Sequence, residues 1–180
     1  MLAALVECMV SLVVRSPRFR ETGVALAEHF RGPLGERERN GLISLNIMHC
    51  QRRIADSIGT RGKFAVLLAR EHEFHFGDGF YHNLGRETQT SSGARIVVPI
   101  TPNVTVCYCH PISYSTNPRL MTLSLTSDEV KFFNRTIQIY ARDMVFFRGV
   151  KPDLLDVYRS AEHRIYDVPD PMDDWFQDIS

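Results

Sequence analysis

The chain has 180 residues, with 21 Lys and Arg against 21 Asp and Glu, and is 44% hydrophobic and 23% charged. That length supports one compact core, with room for a small helical lobe beside it. A formal net charge of zero removes the electrostatic argument for wholesale binding to nucleic acid or to an anionic membrane, and leaves only local patches.

The chain opens on MLAALVECMVSLVVRSPR. It lacks the basic start of a signal peptide, and its only early charge is Glu7. The apolar run is short of the ~20 residues that span a bilayer. It reads as a buried helix over 2–15, or one packed on a homo-oligomer or protein partner, and not as a membrane segment. Pro17 suits the first position of a second helix, 17–31, which Gly32-Pro33 stops. A third helix is predicted from Leu34 to Ile58, with Leu42, Leu45, Ile54 and Ile58 near helical spacing. Asn46, His49 and Arg53 lie along one side of it as a solvated face.

After Gly62 the period changes. KFAVLLAR (63–70), EFHF (73–76), ARIVVPIT (94–101), VTVCYCH (104–110) and RLMTLSLT (119–126) read as strands, rich in β-branched and aromatic residues. Pro99 and Pro102 point to edge positions or irregular strand ends. Thr126 or Ser127 caps a helix that runs to about Asp143, with Val130, Phe133, Ile137, Tyr140 and Ala141 as its apolar stripe. MVFFRG (144–149) is a last short strand and DLLDVYRSAEHR (153–164) a final helix. The predicted organisation is a helical lobe (1–61), a sheet region (62–166) and an acidic tail (167–180). The fold class is α+β: helices first, then a mostly antiparallel sheet with one or two C-terminal helices. The tail, with two prolines and five aspartates, reads as disordered, or else as a docking peptide anchored by Trp175 and Phe176.

Cys8, Cys50, Cys107 and Cys109 form no CxxC pair, and Cys107 and Cys109 share one strand face, a poor geometry for a disulfide. They read as reduced thiols of a cytoplasmic protein. Cys109 and His110 are strand neighbours that point oppositely, which disfavours a nucleophile pair.

The chemistry concentrates in EHEFHFGDGFYHN (71–83). In an extended chain Glu73 and His75 share a face just upstream of the Gly77-Asp78-Gly79 turn, with His82 beyond it. Histidines and carboxylates serve as metal ligands and as general acids and bases, but this spacing matches no metal motif. The competing reading is turn chemistry: Asp78 bonds its own turn's backbone, and the glycines permit unusual dihedrals or a close approach.

The order of segments is similar to the C-terminal part of a bacterial domain-of-unknown-function family (number four-two-three-eight). FGDGF (76–80) stands where that family has a Ser-Asp-Asn-Pro-like turn, and Pro99 to Pro102 where it has a Pro-Leu-(Ser/Thr)-Pro-like segment. Asn134, Ala141 and Val145-Phe146 stand where it has a helix Asn, an Ala and a Val-Phe strand. The resemblance covers roughly residues 40–150. Gly77 and Phe80 replace the turn's Ser and Pro, and the family's N-terminal His-Tyr-x-Pro-Gln segment is absent, as if the chain began partway into such a protein. The resemblance implies a bacterial cytoplasmic protein, draws attention to Asp78 and Asn134, and implies no activity or cofactor.

Two functions follow as expectations. One is an interaction or binding module, compatible with a defence or mobile-element context, using the N-terminal helix or the acidic tail, with Asn134, His82 and Trp175 as candidate binding residues. The other is a metal-dependent hydrolase, with nucleic acid a candidate substrate, using Glu73, His75, Asp78 and His82. The sequence identifies neither a metal nor a cofactor.

Overall fold

The structure is a computed structural model that describes residues 2–58, 62–83, 93–110, 119–159 and 171–179. The chain divides into two compact units, Met1–Thr60 and Arg61–Ser180. The first is three helices: α1 (Leu2–Arg15), α2 (Pro17–Arg31) and α3 (Glu36–Ile58). Ser16 ends one helix and begins the next, its hydroxyl donating to Val13 O and accepting from Phe19 N. Val6, Met9, Val10, Val13 and Val14 recur at spacings of three and four and form the buried stripe of α1, which packs on α2 and α3. No helix among the described residues is long and apolar enough to cross a membrane.

The second unit is built on a five-stranded sheet. Its strands are β1 (Lys63–Ala69), β3 (Tyr81–His82), β4 (Arg95–Thr101), β5 (Val104–Cys109) and β6 (Leu120–Leu125), in the order β3-β4-β5-β1-β6. All pairings are antiparallel except β1 with β6. A two-residue strand, β2 (Phe76–Gly77), pairs separately with β7 (Val145–Phe146). Together with the helices this is an α+β fold. Pro99 sits beyond the reach of β3, at the register shift between Pro99 and Thr101, where a residue lacking an N–H is tolerated.

One helix, α4 (Ser127–Tyr140), covers the sheet. It starts with a full capping box: Thr126 accepts from Glu129 N, while the Glu129 carboxylate accepts from Thr126 N. Val130, Phe133, Ile137 and Tyr140, at spacings of three and four, are all buried. The helix ends at Tyr140, short of the expected Asp143, because Ala141 turns extended. Of the helix expected over 153–164, α5 (Asp156–Arg159) is formed, and 160–164 lies outside the described residues.

Two expectations are corrected. EFHF is not a strand: only Phe76 of it enters a ladder, because the backbone groups of 73–75 bond elsewhere. Nor is the tail disordered where it is described. Residues Pro171–Ile179 form α6, and Met172 and Phe176 are fully buried in the core of this same unit. Phe176 stacks on Tyr81, the Arg95 guanidinium lies over the Phe176 ring at 5.2 Å from its centroid, and Trp175 meets Phe133 edge-on at 4.8 Å. Composition alone hides this, because Tyr81 and Phe133, the rings that receive Phe176 and Trp175, lie on distant elements. Residues 160–170 fall outside the described residues.

Phe176→Ala removes a fully buried ring and should destabilise the fold by about 3–5 kcal/mol. Acrylamide quenching of the single tryptophan, Trp175, should rise in that variant. Unchanged quenching and unchanged stability would refute the docked position of α6.

Candidate functional site

The segment 71–75 is held against α4 without a β-ladder. Phe74 N donates to Pro102 O at 2.7 Å, and the Phe74 ring is buried against Phe133. The Asn134 side chain then takes both neighbouring peptide groups. Its Oδ1 accepts from His75 N at 2.8 Å, and its Nδ2 donates to Glu73 O at 2.9 Å. One turn further along, Gln138 does the same to another segment. Its Nε2 donates to Asp153 O at 3.2 Å, and its Oε1 accepts from Leu155 N at 2.8 Å. Both amides are buried, and both satisfy a donor and an acceptor of chain that has no regular partner.

A groove of about 450 Å³ lies between these two segments. Its floor is α4, contributing Lys131, Asn134, Arg135 and Gln138; its banks are 71–75 and 148–155. The Arg148 guanidinium pairs with the Glu73 carboxylate across the banks, and that pairing raises the Arg148 pKa. Val150, Pro152 and Leu155 supply an apolar stretch of wall. His75 lines the groove, with Nδ1 sealed from solvent and without a hydrogen-bond partner among the described residues. Burial pulls its pKa below the usual histidine value.

Of the residues singled out in the sequence, Glu73, His75 and Asn134 therefore share one cavity, which His72 lines as well. Asp78, His82 and Trp175 do not line it. Asp78 does not bond its own turn. Its Oδ1 accepts from Arg142 N at 2.7 Å and its Oδ2 from Asp143 N at 3.0 Å, while its own N–H donates to Met144 O. The carboxylate thus receives the chain as it leaves α4. The flanking glycines answer to space and not to dihedral angle, since neither has a positive φ. A Cβ on Gly79 would stand 1.8 Å from Tyr140 O, and one on Gly77 would stand 2.8 Å from Ala141 Cβ. His82 lies on β3, opposite Ile96. Trp175 is half-buried on α6 against Phe133.

No group of three His, Cys, Asp or Glu side chains among the described residues gathers closely enough to hold a metal ion. Cys107 and Cys109 are buried, and burial raises both thiol pKa values; His110 is exposed. Neither thiol has the lowered pKa of an activated nucleophile. On α3, His49 and Arg53 are exposed.

Gln138, Arg135 and Arg148 escaped the sequence reading. Gln138 carried one usable signal, its position four residues after Asn134 and hence on the same helical face. No protein-family profile, curated protein or solved structure matches the chain.

Two predictions follow from this geometry. In Asp78→Asn one backbone N–H faces an amide NH2 instead of an oxygen, so denaturant unfolding should show a loss of about 1–2 kcal/mol. A change near zero would contradict the double acceptor role. For His75, the folded state resists protonation while the unfolded chain protonates near pH 6.5. Its contribution is therefore present above that pH and fades as pH falls through it toward the lower folded pKa. Between pH 7.5 and 5 the wild type should lose more stability than His75→Gln; equal losses would refute the assignment.

Proposed function

We propose that this protein is a binding module whose partner is another protein, docked on the segment Met144–Val150. The observation that carries this reading is a run of four large apolar side chains left in solvent: Met144 is 54% exposed, Phe146 54%, Phe147 41% and Val150 92%. Within seven residues that concentration is unusual for a surface without a partner. Aromatic and Met side chains are also the types enriched where binding energy concentrates. Among the described residues β7, at the centre of the run, pairs on one side only, with a two-residue strand, and so offers backbone groups as well as side chains.

The stripe on α1 and the aromatics of α6, both plausible contact surfaces from composition, have weaker support, because their large apolar groups are already buried. The hydrolase reading also has weaker support. Of its four residues, Glu73 is committed to Arg148, Asp78 to two backbone N–H groups, and His82 stands on β3 while His75 lies in the irregular segment 73–75. The family resemblance is compatible with a binding module and is retained as part of the proposal. Its two notable positions, Asp78 and Asn134, are the two that fasten α4 to the 73–78 segment.

A photoreactive residue at position 146 should give discrete protein adducts in cells that express the chain natively, and one at the exposed position 122 should not. Phe147→Asp with Val150→Asp should abolish the adducts without shifting Tm, since both side chains are exposed. An adduct with a second copy of the chain would identify a homo-oligomer. Absence of adducts at 146, or adducts that survive the double substitution, would overturn the reading.

A further inference from the structure

We infer that two copies of this chain pair through α3, antiparallel, about a two-fold axis at Leu45. The helix has 23 residues, and among those described only Ile58 is buried. Two large apolar side chains stand in solvent at its middle: Leu45 is 62% exposed and Met48 74%. They belong to a stripe of Glu38, Gly41, Leu45, Met48 and Arg52, which recurs at alternating spacings of three and four. That is the seam by which one helix lies along another. Glu38 and Arg52 are exposed, and neither is in an ion pair among the described residues.

The charges specify the occupant. Glu38 stands seven residues before Leu45 and Arg52 seven after it. An antiparallel copy, set with Leu45 on Leu45, brings each Glu38 level with the partner's Arg52, at both ends of the seam. Parallel pairing would set Glu38 on Glu38 and Arg52 on Arg52, like against like. The antiparallel register also brings Arg37 level with the partner's Arg53. Those two stand eight residues from Leu45, so each is turned roughly 80° from the seam, to opposite flanks. Gly41 gives a second, independent indication. Glycine inside a helix is unfavourable, and a Cβ there would meet nothing within 4 Å, so nothing in the single chain requires it. In the paired helices it stands level with the exposed His49 of the partner subunit, where a missing side chain leaves room for the ring. On α2, Leu26 and Phe30 are exposed too, but the charges around them specify no occupant. The contact proposed at Met144–Val150 belongs to the other unit, so either can fail without the other.

The test is sedimentation equilibrium of the full chain. The seam is short, so a dimer with a Kd in the micromolar range is expected. Leu45→Lys should leave a monomer. Glu38→Arg and Arg52→Glu, each alone, set like charges level at both ends and should weaken the dimer at least about tenfold. The two together restore opposite charges and should recover most of the affinity, as should an equimolar mixture of the two single variants. Far-UV circular dichroism confirms that each variant is folded. Phe147→Asp with Val150→Asp should stay dimeric. A chain that remains monomeric at about millimolar concentration, a dimer that survives Leu45→Lys, a double charge swap no better than either single one, or a dimer lost only on substituting 147 and 150 would overturn the inference.

Discussion

Two buried side-chain amides on α4 organise this protein's second unit. A helix presents only side chains to its neighbours, and irregular chain packed against it has backbone groups that must still be satisfied. Asn134 and Gln138 resolve this by offering one donor and one acceptor each, the same pair that a neighbouring peptide would offer. Because they are four residues apart, they face the same way, and the two segments they hold become the two banks of one groove. Without these amides, 73–75 and 153–155 would have unpaired peptide groups beside a helix, a cost of about 1–3 kcal/mol for each buried group left unmade. The groove is thus a consequence of how irregular chain is fastened, and not an addition to a finished fold.

Asp78 extends the same principle to the end of the helix. α4 stops at Tyr140, and the N–H groups of Arg142 and Asp143 are received by the two carboxylate oxygens. The chain can approach so closely only because Gly77 and Gly79 lack side chains there. The residues that look most like a catalytic cluster in the sequence are in this way mostly fasteners. Asp78 and Asn134 act on backbone, and Glu73 is joined to Arg148. His75 keeps a buried ring nitrogen with no hydrogen-bond partner among the described residues.

Legibility in the sequence followed the range of the interactions. The stripe Val130, Phe133, Ile137 and Tyr140 and the cap at Thr126 depend on neighbours within a few residues, and both were readable. So were β1, β4, β5 and β6, whose composition reports a buried, pleated environment. EFHF was misread because its composition is that of a strand, while the group that takes its hydrogen bonds, Asn134, lies 59 residues away from His75. Of the two readings of the tail, disorder fails for the same reason. Its prolines and aspartates are local features, whereas Tyr81 and Phe133, the rings that receive Phe176 and Trp175, are not. The role of Asp78 was half legible: a carboxylate between two glycines announces a tight place, but not which backbone it serves.

The distribution of these contacts separates what stabilises the unit from what is free to serve binding. The Glu73–Arg148 pair is exposed on the arginine side, and a pair in that setting contributes little to stability because solvent screens it and two long side chains must be ordered. The pairs of Arg159 with Asp153 and Asp156 involve carboxylates almost wholly in solvent, and the same reasoning applies. Stability is therefore concentrated beneath the groove, in the apolar stripe of α4, the buried amides and the ring cluster around Phe176. The charged groups above it set the groove's shape and polarity at small cost to the fold. Substitutions at Arg135, Arg148 and Val150 consequently act on the surface a ligand or partner would meet, while substitutions at Asn134, Gln138 and Phe176 act on the frame that holds that surface in place.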